Sequence, residues 1–176
     1  MDRARTALAG QRSAGPSRRV ALQLVGRAAL ALAAWPAFSP LAAAHSLGSK
    51  FDARRDAVAD VAEAVSRAAA EGKHVIVDVG GEWCVWCHIL ERFVASHDEV
   101  RGLIDKHFVW VKVNYSPANK NERLLSAWPA VAGYPHLFVL DGQGRLIRSQ
   151  PSAQLEGRQD YDLKKMLAFL RAAAPS

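Results

Sequence analysis

The two cysteines of the chain, Cys84 and Cys87, are separated by two residues, and this pair carries the most specific chemistry in the sequence. Two thiols at this spacing can form a disulfide with each other and exchange it with an external disulfide. One thiolate attacks, and its neighbour resolves the mixed disulfide that results. Because the pair follows a predicted strand and begins a predicted helix, unpaired amides and the helix dipole are expected to favour a thiolate at Cys84.

Three other uses of the cysteine pair stay open at this stage. A purely structural disulfide is one, although so short a loop restricts the unfolded chain little. A zinc site would need two further ligands, for which His88 and His136 are the candidates. The run Cys84-x-x-Cys87-His88 also matches the attachment pattern of c-type haem. Haem would need a second axial ligand or an open distal pocket, and Met166 lies on an amphipathic pattern that favours core packing.

The elements that position the cysteines alternate between helices and strands. Residues 74–79 and 108–113 are apolar runs rich in β-branched residues, typical of strands buried on both faces, and Gly80-Gly81 ends the first run. Residues 136–140 and 145–147 flank an Asp-Gly-Gln-Gly turn and predict a hairpin. Helices are predicted over residues 56–70, 84–95, 96–106, 121–128 and 161–173. This order predicts an α/β fold, a central mixed β-sheet with helices on both faces.

The first 44 residues have the composition of an export signal. They hold six arginines and one acidic residue, an alanine- and leucine-rich stretch over residues 20–34, and three alanines directly before His45. We therefore expect cleavage of residues 1–44, a mature domain over residues 45–176 without stable membrane insertion, and a periplasmic or secreted location. The arginine pair at 18 and 19 resembles a twin-arginine signal. An uncleaved anchor and an organelle-targeting or disordered extension are the alternatives.

The net charge of +6 does not indicate a nucleic-acid partner. The excess of basic residues lies in the N-terminal segment, and the remaining chain holds 17 basic against 16 acidic residues. The length and composition after His45 are those of one globular domain. Two cysteines also exclude a small scaffold that depends on several disulfides, because a domain of this size can bury enough apolar surface without them.

Together these motifs resemble the thioredoxin-like superfamily. The similarity rests on Asp78, on Trp83-Cys84-x-x-Cys87, on Gly133-Tyr134-Pro135 and on the following Asp-Gly-x-Gly turn, in this order and spacing. It covers residues 54–173 and extends to periplasmic thioredoxin-like thiol:disulfide interchange domains. The chain departs from thioredoxin at Val85-Trp86, where thioredoxin has Gly-Pro, and in a longer polar segment before the helix predicted over 121–128.

The resemblance implies a thioredoxin-like fold and a thiol:disulfide oxidoreductase that uses no metal or other cofactor. Cys84 would be the attacking thiol, exposed at the helix start, and Cys87 the buried resolving thiol. Asp78 would be a buried acid that takes the proton from Cys87, with a solvated strand-end carboxylate as the alternative. Lys112 matches a lysine that the superfamily places near this acid, and an exposed edge lysine is the alternative.

The resemblance also implies a docking surface for protein partners. Pro135 would be the cis-proline, and Tyr134 before it would offer backbone groups to an incoming peptide, with Trp83 beside the dithiol. The alternatives are a plain trans-proline loop at Pro135 and a core-filling role for Trp83. The partners would be protein thiols and disulfides, together with a redox protein that recharges the pair, and we expect a monomer. A non-catalytic binding or chaperone module stays open as the alternative. The sequence does not determine the direction of exchange.

Overall fold

The computed structural model describes residues 50–176. The predicted export signal over residues 1–44 and the predicted cleavage site before His45 lie outside the described residues. Within the part that the structure describes, no helix is both long enough and apolar enough to cross a membrane.

Four strands form one mixed sheet at the centre of the described residues. They are β1 (His74–Gly80), β2 (Phe108–Asn114), β3 (His136–Leu140) and β4 (Leu146–Pro151). Their order across the sheet is β2-β1-β3-β4. β1 and β2 run parallel, whereas β3 pairs antiparallel with β1 and with β4. The predicted mixed sheet is therefore confirmed.

Five α-helices are formed by residues 50–176: α1 (Ala57–Glu71), α2 (Val85–Ser96), α3 (Asp98–His107), α4 (Glu122–Leu125) and α5 (Leu163–Ala173). The ends of α1 follow from its sequence. The side chain of Asp56 accepts hydrogen bonds from two amides of the first turn, and Gly72 ends the helix at φ 65°. A glycine adopts this left-handed conformation without a steric cost, so the helix stops there.

Side-chain alternation along β1 divides the core into two layers. The three valines of β1 face α1 and pack in one apolar cluster with Phe138 of β3. Ile76 faces the opposite side and packs with apolar side chains of α2, α3 and α5. The predicted helices on both faces are thus confirmed. By the same alternation, Asp78 and Gly80 share the Ile76 face, which is the face that carries the start of α2.

The helix predicted over residues 121–128 is only a single turn. Asn121 adopts a left-handed conformation with φ 49°, and the α-helix ends at Leu125. Pro129 disfavours a helical conformation at the residue before it, and the following segment is rich in alanine and glycine. The segment between α4 and β3 is therefore irregular, although its composition allowed a longer helix.

The C-terminal elements also differ from the prediction. β4 extends to Pro151, beyond the predicted end at residue 147, because its polar residues pair with β3 and interrupt the apolar pattern. A short 3-10 helix, Ser152–Leu155, follows it and was not predicted. α5 begins at Leu163 because the side chain of Asp162 accepts a hydrogen bond from the Lys165 amide at 2.9 Å and caps the helix.

Candidate active site

Cys84 and Cys87 form a disulfide at the start of α2, where the chain leaves β1. The S–S distance is 2.14 Å and the two Cα atoms are 5.2 Å apart. Cys84 is the N-cap residue of α2, and its Sγ accepts a hydrogen bond from the Cys87 amide at 3.1 Å. When the pair is reduced, an amide of the first helical turn in this position favours the thiolate of Cys84.

The expectation that Cys84 is exposed is wrong for the disulfide-bonded state. Cys84 is 4% exposed and Cys87 is 1% exposed. The two cysteines form a small apolar cluster with Phe51, and Trp86 and Tyr134 pack against this cluster. These side chains from distant parts of the sequence cover the disulfide. The structure therefore distinguishes the cysteines by their position relative to the amides of α2 rather than by their exposure.

Gly80, the last residue of β1, allows the disulfide to lie against the sheet. A Cβ atom at this position would lie 2.5 Å from the Sγ of Cys87 and 3.1 Å from the nearest ring carbon of Phe51. No side chain fits into that space while the sulfur and the ring stay in place. The sequence pattern marked Gly80 only as the end of a strand, so this requirement was missed.

Asp78 lies two residues before Gly80 and on the same face of β1. Its side chain is buried, as predicted. Burial raises the pKa of Asp78 to about 6, although Lys112 and a hydrogen bond from Trp110 oppose this change. The Nε1 of Trp110 donates to Asp78 Oδ2 at 3.3 Å, while Oδ1 has no hydrogen-bond partner among the described residues. A carboxylate with this pKa can accept a proton near neutral pH.

Lys112 and Glu91 line the same cavity as Asp78. The cavity measures about 200 Å³ and has mainly apolar walls from α2, α3 and β2. Lys112 lies opposite Asp78 in the parallel register of β1 and β2, so the predicted proximity of Lys112 to this acid is confirmed. Its Nζ lies 3.6 Å from Glu91 Oε1. The positive charge of Lys112 lowers the pKa of Asp78, and the negative charge of Glu91 raises it.

Three aromatic rings pack together near the start of α2, and one of them, Tyr134, also packs against the disulfide cluster. Trp83 is 54% exposed, and its Nε1 donates to the carbonyl oxygen of Tyr115 at 2.8 Å. The ring of Tyr134 packs edge-to-face against Trp83, with 5.5 Å between centroids, and stacks on Tyr115 at 4.8 Å. Burial and a hydrogen bond with Tyr115 raise the pKa of Tyr134 to about 12. The phenol of Tyr134 is therefore neutral at physiological pH.

The Tyr134–Pro135 peptide bond is cis, as predicted. The peptide groups of Tyr134 lie before His136, the first residue of β3 that pairs with β1. Tyr134 also packs against the cluster that holds the disulfide. The structure thus brings together the three residues predicted to form a docking surface: Trp83, Tyr134 and Pro135.

The residues named as alternative metal or haem ligands are otherwise engaged. His88 Nε2 contacts the carbonyl oxygen of Glu82 at 2.8 Å, and His136 Nε2 contacts Ser149 Oγ at 2.8 Å. Met166 is buried in the core cluster of α2, α3 and α5, as its helical pattern predicted. Over residues 50–176, no group of three or more His, Cys, Asp or Glu side chains could hold a metal ion.

Sequence reasoning missed Phe51, Tyr115 and Glu91 as parts of this site. Glu91 follows Cys87 by four residues on α2, so helical spacing alone could have placed it beside the pair. Phe51 contacts the disulfide, and Tyr115 contacts Trp83 and Tyr134, only through the tertiary fold, and no local pattern predicts these contacts.

A profile of the thioredoxin-like family matches residues 56–142. The thiol:disulfide interchange protein DsbD of Escherichia coli is 30% identical over 94 residues, which are 53% of this chain and 16% of that protein. The corresponding protein of Salmonella typhi is 30% identical over 93 residues, with the same coverage. The match thus spans only a small part of these relatives' length.

Solved structures show the same fold. A disulphide isomerase from Xylella fastidiosa Temecula1 superimposes with a TM-score of 0.61 and 22% identity, covering 69% of this chain and 94% of that chain. A structure described as DsbH oxidoreductase gives a TM-score of 0.50 at 20% identity, covering 64% of this chain and 79% of the other. With its mixed sheet, its cysteine pair at the start of α2 and its cis-proline, the chain has a thioredoxin-like fold, and its sequence resembles the thioredoxin-like family over residues 56–142.

Proposed function

We propose that this protein is a thiol:disulfide oxidoreductase that exchanges the Cys84–Cys87 pair with disulfides of partner proteins. The observation that carries the proposal is the position of the disulfide at the N-terminus of α2, with Asp78 buried on the sheet face beneath it. The names of the matched relatives, an interchange protein, an isomerase and an oxidoreductase, support the same class of reaction.

In the reducing direction, the Cys84 thiolate attacks one sulfur of a partner disulfide. The partner's S–S bond breaks, an S–S bond forms between Cys84 and that sulfur, and the other partner sulfur leaves as a thiolate that takes a proton from water. The amide of Cys87, which contacts Cys84 Sγ at 3.1 Å in the disulfide, supports the negative charge on this nucleophile before attack.

Resolution is the step in which Cys87 acts. The Cys87 thiol gives its proton to the Asp78 carboxylate, and the resulting thiolate attacks Cys84 Sγ. The Cys84–Cys87 disulfide forms, and the partner's remaining sulfur leaves as a thiolate. Two electrons have then passed from the dithiol to the partner disulfide. Asp78 suits the role of base because its pKa is about 6 and its Oδ1 is free of other hydrogen bonds.

We assign the docking of partner chains to Trp83, Tyr134 and Pro135. The exposed indole of Trp83 supplies apolar contact area next to the sulfurs. The peptide groups of Tyr134 lie outside the ladder between β1 and β3, so an extended partner segment can pair with them as an added strand. This arrangement would place a partner cysteine over Cys84.

We further propose that the domain spans residues 45–176 and acts as a monomer outside the cytoplasm after cleavage of residues 1–44. The support is the arginine-rich and alanine-rich pattern of the N-terminal segment and the oxidising environment in which such exchange occurs. A second redox protein recharges the pair. Sequencing of the mature N-terminus from the native host should give His45; a chain that begins at Met1 would contradict the cleavage.

The test of the function is turnover of a protein disulfide. The reduced protein, supplied with dithiothreitol, should accelerate reduction of insulin, and its cysteine pair should equilibrate with glutathione redox buffers to a defined potential. Cys84→Ser should abolish the acceleration while the far-ultraviolet circular dichroism stays that of the wild type. A pair that neither equilibrates with glutathione nor accelerates reduction would leave a structural disulfide and a binding module.

A further inference from the structure

The chain segment directly before α1 lies against the disulfide. Phe51 of this segment is buried and belongs to the same apolar cluster as Cys84 and Cys87. We call residues 50–55 the strap. It precedes the cysteines by about thirty residues, which is far outside the range of local structure. Its contact with the disulfide is therefore a property of the fold.

Two hydrogen bonds fix the position of the strap. The Phe51 amide donates to Glu82 Oε1 at 2.8 Å, and Glu82 lies two residues before Cys84. The side-chain amide of Asn119 donates to the carbonyl oxygen of Ala53 at 2.9 Å. The ring of Phe51 is thus held between the loop that leads into α2 and the loop that follows β2.

The ring of Phe51 occupies the space around the resolving sulfur. Two of its ring carbons lie 3.1 and 3.2 Å from the point where a Cβ of Gly80 would be, and Cys87 Sγ lies 2.5 Å from the same point. Ring and sulfur are therefore packed side by side over Gly80. Such packing leaves no room for water on this side of Cys87.

The same ring holds the cation that acts on Asp78. Lys112 Nζ lies 4.4 Å from the centroid of the Phe51 ring and 3.6 Å from Glu91 Oε1. A cation at this distance from an aromatic ring is attracted by the electron density of the ring face. Phe51 therefore keeps the Lys112 ammonium at a fixed place near the ring and Glu91.

We propose that Phe51 is a positioning residue for resolution: its ring excludes water from Cys87 and fixes Lys112, so that the Cys87 proton passes to Asp78. This inference rests on the proposed function. Apolar surroundings favour the neutral thiol, and a thiol that no water can reach depends on an internal base. Without the ring, water would reach Cys87 and provide another route for its proton.

The experiment is a double-mutant cycle on the resolving step, read with dithiobis-nitrobenzoate. Attack by Cys84 on this reagent releases one nitrothiobenzoate, and attack by Cys87 on the adduct releases the second, so that absorbance separates the two steps. In the wild type, Asp78→Asn should slow the second release at least about tenfold. In the Phe51→Ala background, the same change should slow it less than about threefold, because water replaces the carboxylate.

Phe169→Ala is the matched control. Phe169 is also buried and also lies beneath a cation, Arg148, whose Cζ is 5.4 Å from the ring centroid, but it belongs to the core cluster of α5. Its loss should leave the effect of Asp78→Asn at the wild-type size. Phe51→Leu, which keeps most of the apolar volume, should give an intermediate effect and serves if Phe51→Ala does not fold.

Equal slowing by Asp78→Asn in the wild type and in both Phe51 variants would overturn the inference about Phe51. An Asp78→Asn variant that resolves as fast as the wild type would also overturn it. In that case Asp78 would not accept the Cys87 proton, and Phe51 could not direct the proton to it. Failure of the proposed function looks different: the reduced wild-type protein would release one nitrothiobenzoate, or none, and would show no second phase.

Discussion

Gly80 lies directly beneath the sulfur of Cys87, at a distance that only a missing side chain permits. A Cβ on Gly80 would be 2.5 Å from Cys87 Sγ, closer than any ordinary contact between these atoms. The backbone of Gly80, the last residue of β1, therefore packs directly against the sulfur of Cys87 in the first turn of α2. Gly80 and Asp78 share one face of β1, so the packing of Cys87 on Gly80 places its sulfur on the sheet face that carries Asp78.

Replacement of Gly80 by alanine should destabilise the domain. The added methyl group must displace Cys87 or Phe51, and overpacking of this kind costs about 1–3 kcal/mol. Chemical denaturation of the oxidised protein measures the free energy of unfolding. Gly102 is the control: a Cβ there meets no atom within 4 Å, and the residue lies within α3. Gly102→Ala should stabilise the domain by about 0.5–1 kcal/mol. Equal effects of the two changes would refute the close packing at Gly80.

The parts of the fold that sequence could predict are those with a local cause. β1 and β2 are continuous β-branched runs, and α1 has a capping aspartate and a terminal glycine, so their bounds agree with the prediction within one or two residues. β4 depends on its pairing with β3, and the single turn of α4 depends on the packing of its loop. Neither contact produces a periodic pattern of apolar residues in the sequence. The sequence therefore predicts the layers better than their ends.

Asp78→Asn should stabilise the protein in a pH-dependent way. The pKa of Asp78 is about 6 in the folded state against 3.8 for an ordinary aspartate, so the folded protein binds the extra proton between these values. The contribution of Asp78 to wild-type stability should therefore fall as pH rises from about 4 to about 6 and stay level above, since this carboxylate is then charged in both states. The loss amounts to about 3 kcal/mol.

The measurement is denaturant unfolding of the wild type and Asp78→Asn from pH 4 to pH 8. The stability difference in favour of the variant should grow up to about pH 6 and then become constant. Asp105→Asn, a change at an exposed position on α3, controls for the loss of a carboxylate. A difference between wild type and Asp78→Asn that does not vary with pH would show that Asp78 titrates normally.

Glu91→Gln should shift the pH dependence of resolution to lower pH. Glu91 raises the pKa of Asp78, and its carboxylate also lies 3.6 Å from Lys112, which lowers it. Removal of the negative charge makes the surroundings of Asp78 more positive, so the aspartate ionises at lower pH. The shift should be less than about one unit, because the Glu91 side chain is 49% exposed and solvent screens its charge.

The second release of nitrothiobenzoate, followed against pH, measures this shift. Its midpoint should lie near pH 6 in the wild type and below it in Glu91→Gln, while the first release by Cys84 keeps its rate. Glu63→Gln, on the exposed face of α1, should leave the midpoint unchanged. A midpoint that moves to higher pH in Glu91→Gln would contradict the assignment of the titrating group to Asp78.

The site itself was predictable only in part, and for a physical reason. Cys84, Cys87 and Asp78 are joined by short spacings along one strand and one helix, so the sequence places them together. The cover over the disulfide comes from Phe51 and Tyr134, which approach it from opposite ends of the chain. Exposure depends on such long-range contacts. This is why the prediction of an exposed Cys84 was wrong although its place at the helix start was correct.

The roles of the two cysteines predict different trapping behaviour in their serine variants. Both side chains are almost buried in the disulfide, so the difference must come from chemistry: Cys84 is the N-cap and its sulfur accepts the Cys87 amide, whereas Cys87 lies one turn inside the helix. Cys84 should therefore start the exchange. Cys87→Ser should attack a partner disulfide but fail to resolve it, and mixed disulfides should accumulate. Cys84→Ser should accumulate far fewer mixed disulfides.

Non-reducing gel electrophoresis of the two variants, after incubation with a disulfide-bonded protein such as insulin, distinguishes these outcomes. Cys87→Ser should show a band at the summed mass that dithiothreitol removes, and in Cys84→Ser that band should be at least about tenfold weaker, since the remaining thiol lacks the helix N-terminus. A band in Cys84→Ser alone would reverse the two roles. If neither variant forms the band while both keep the wild-type fold, the disulfide is structural, and the protein is a binding module that retains the thioredoxin-like fold without its exchange chemistry.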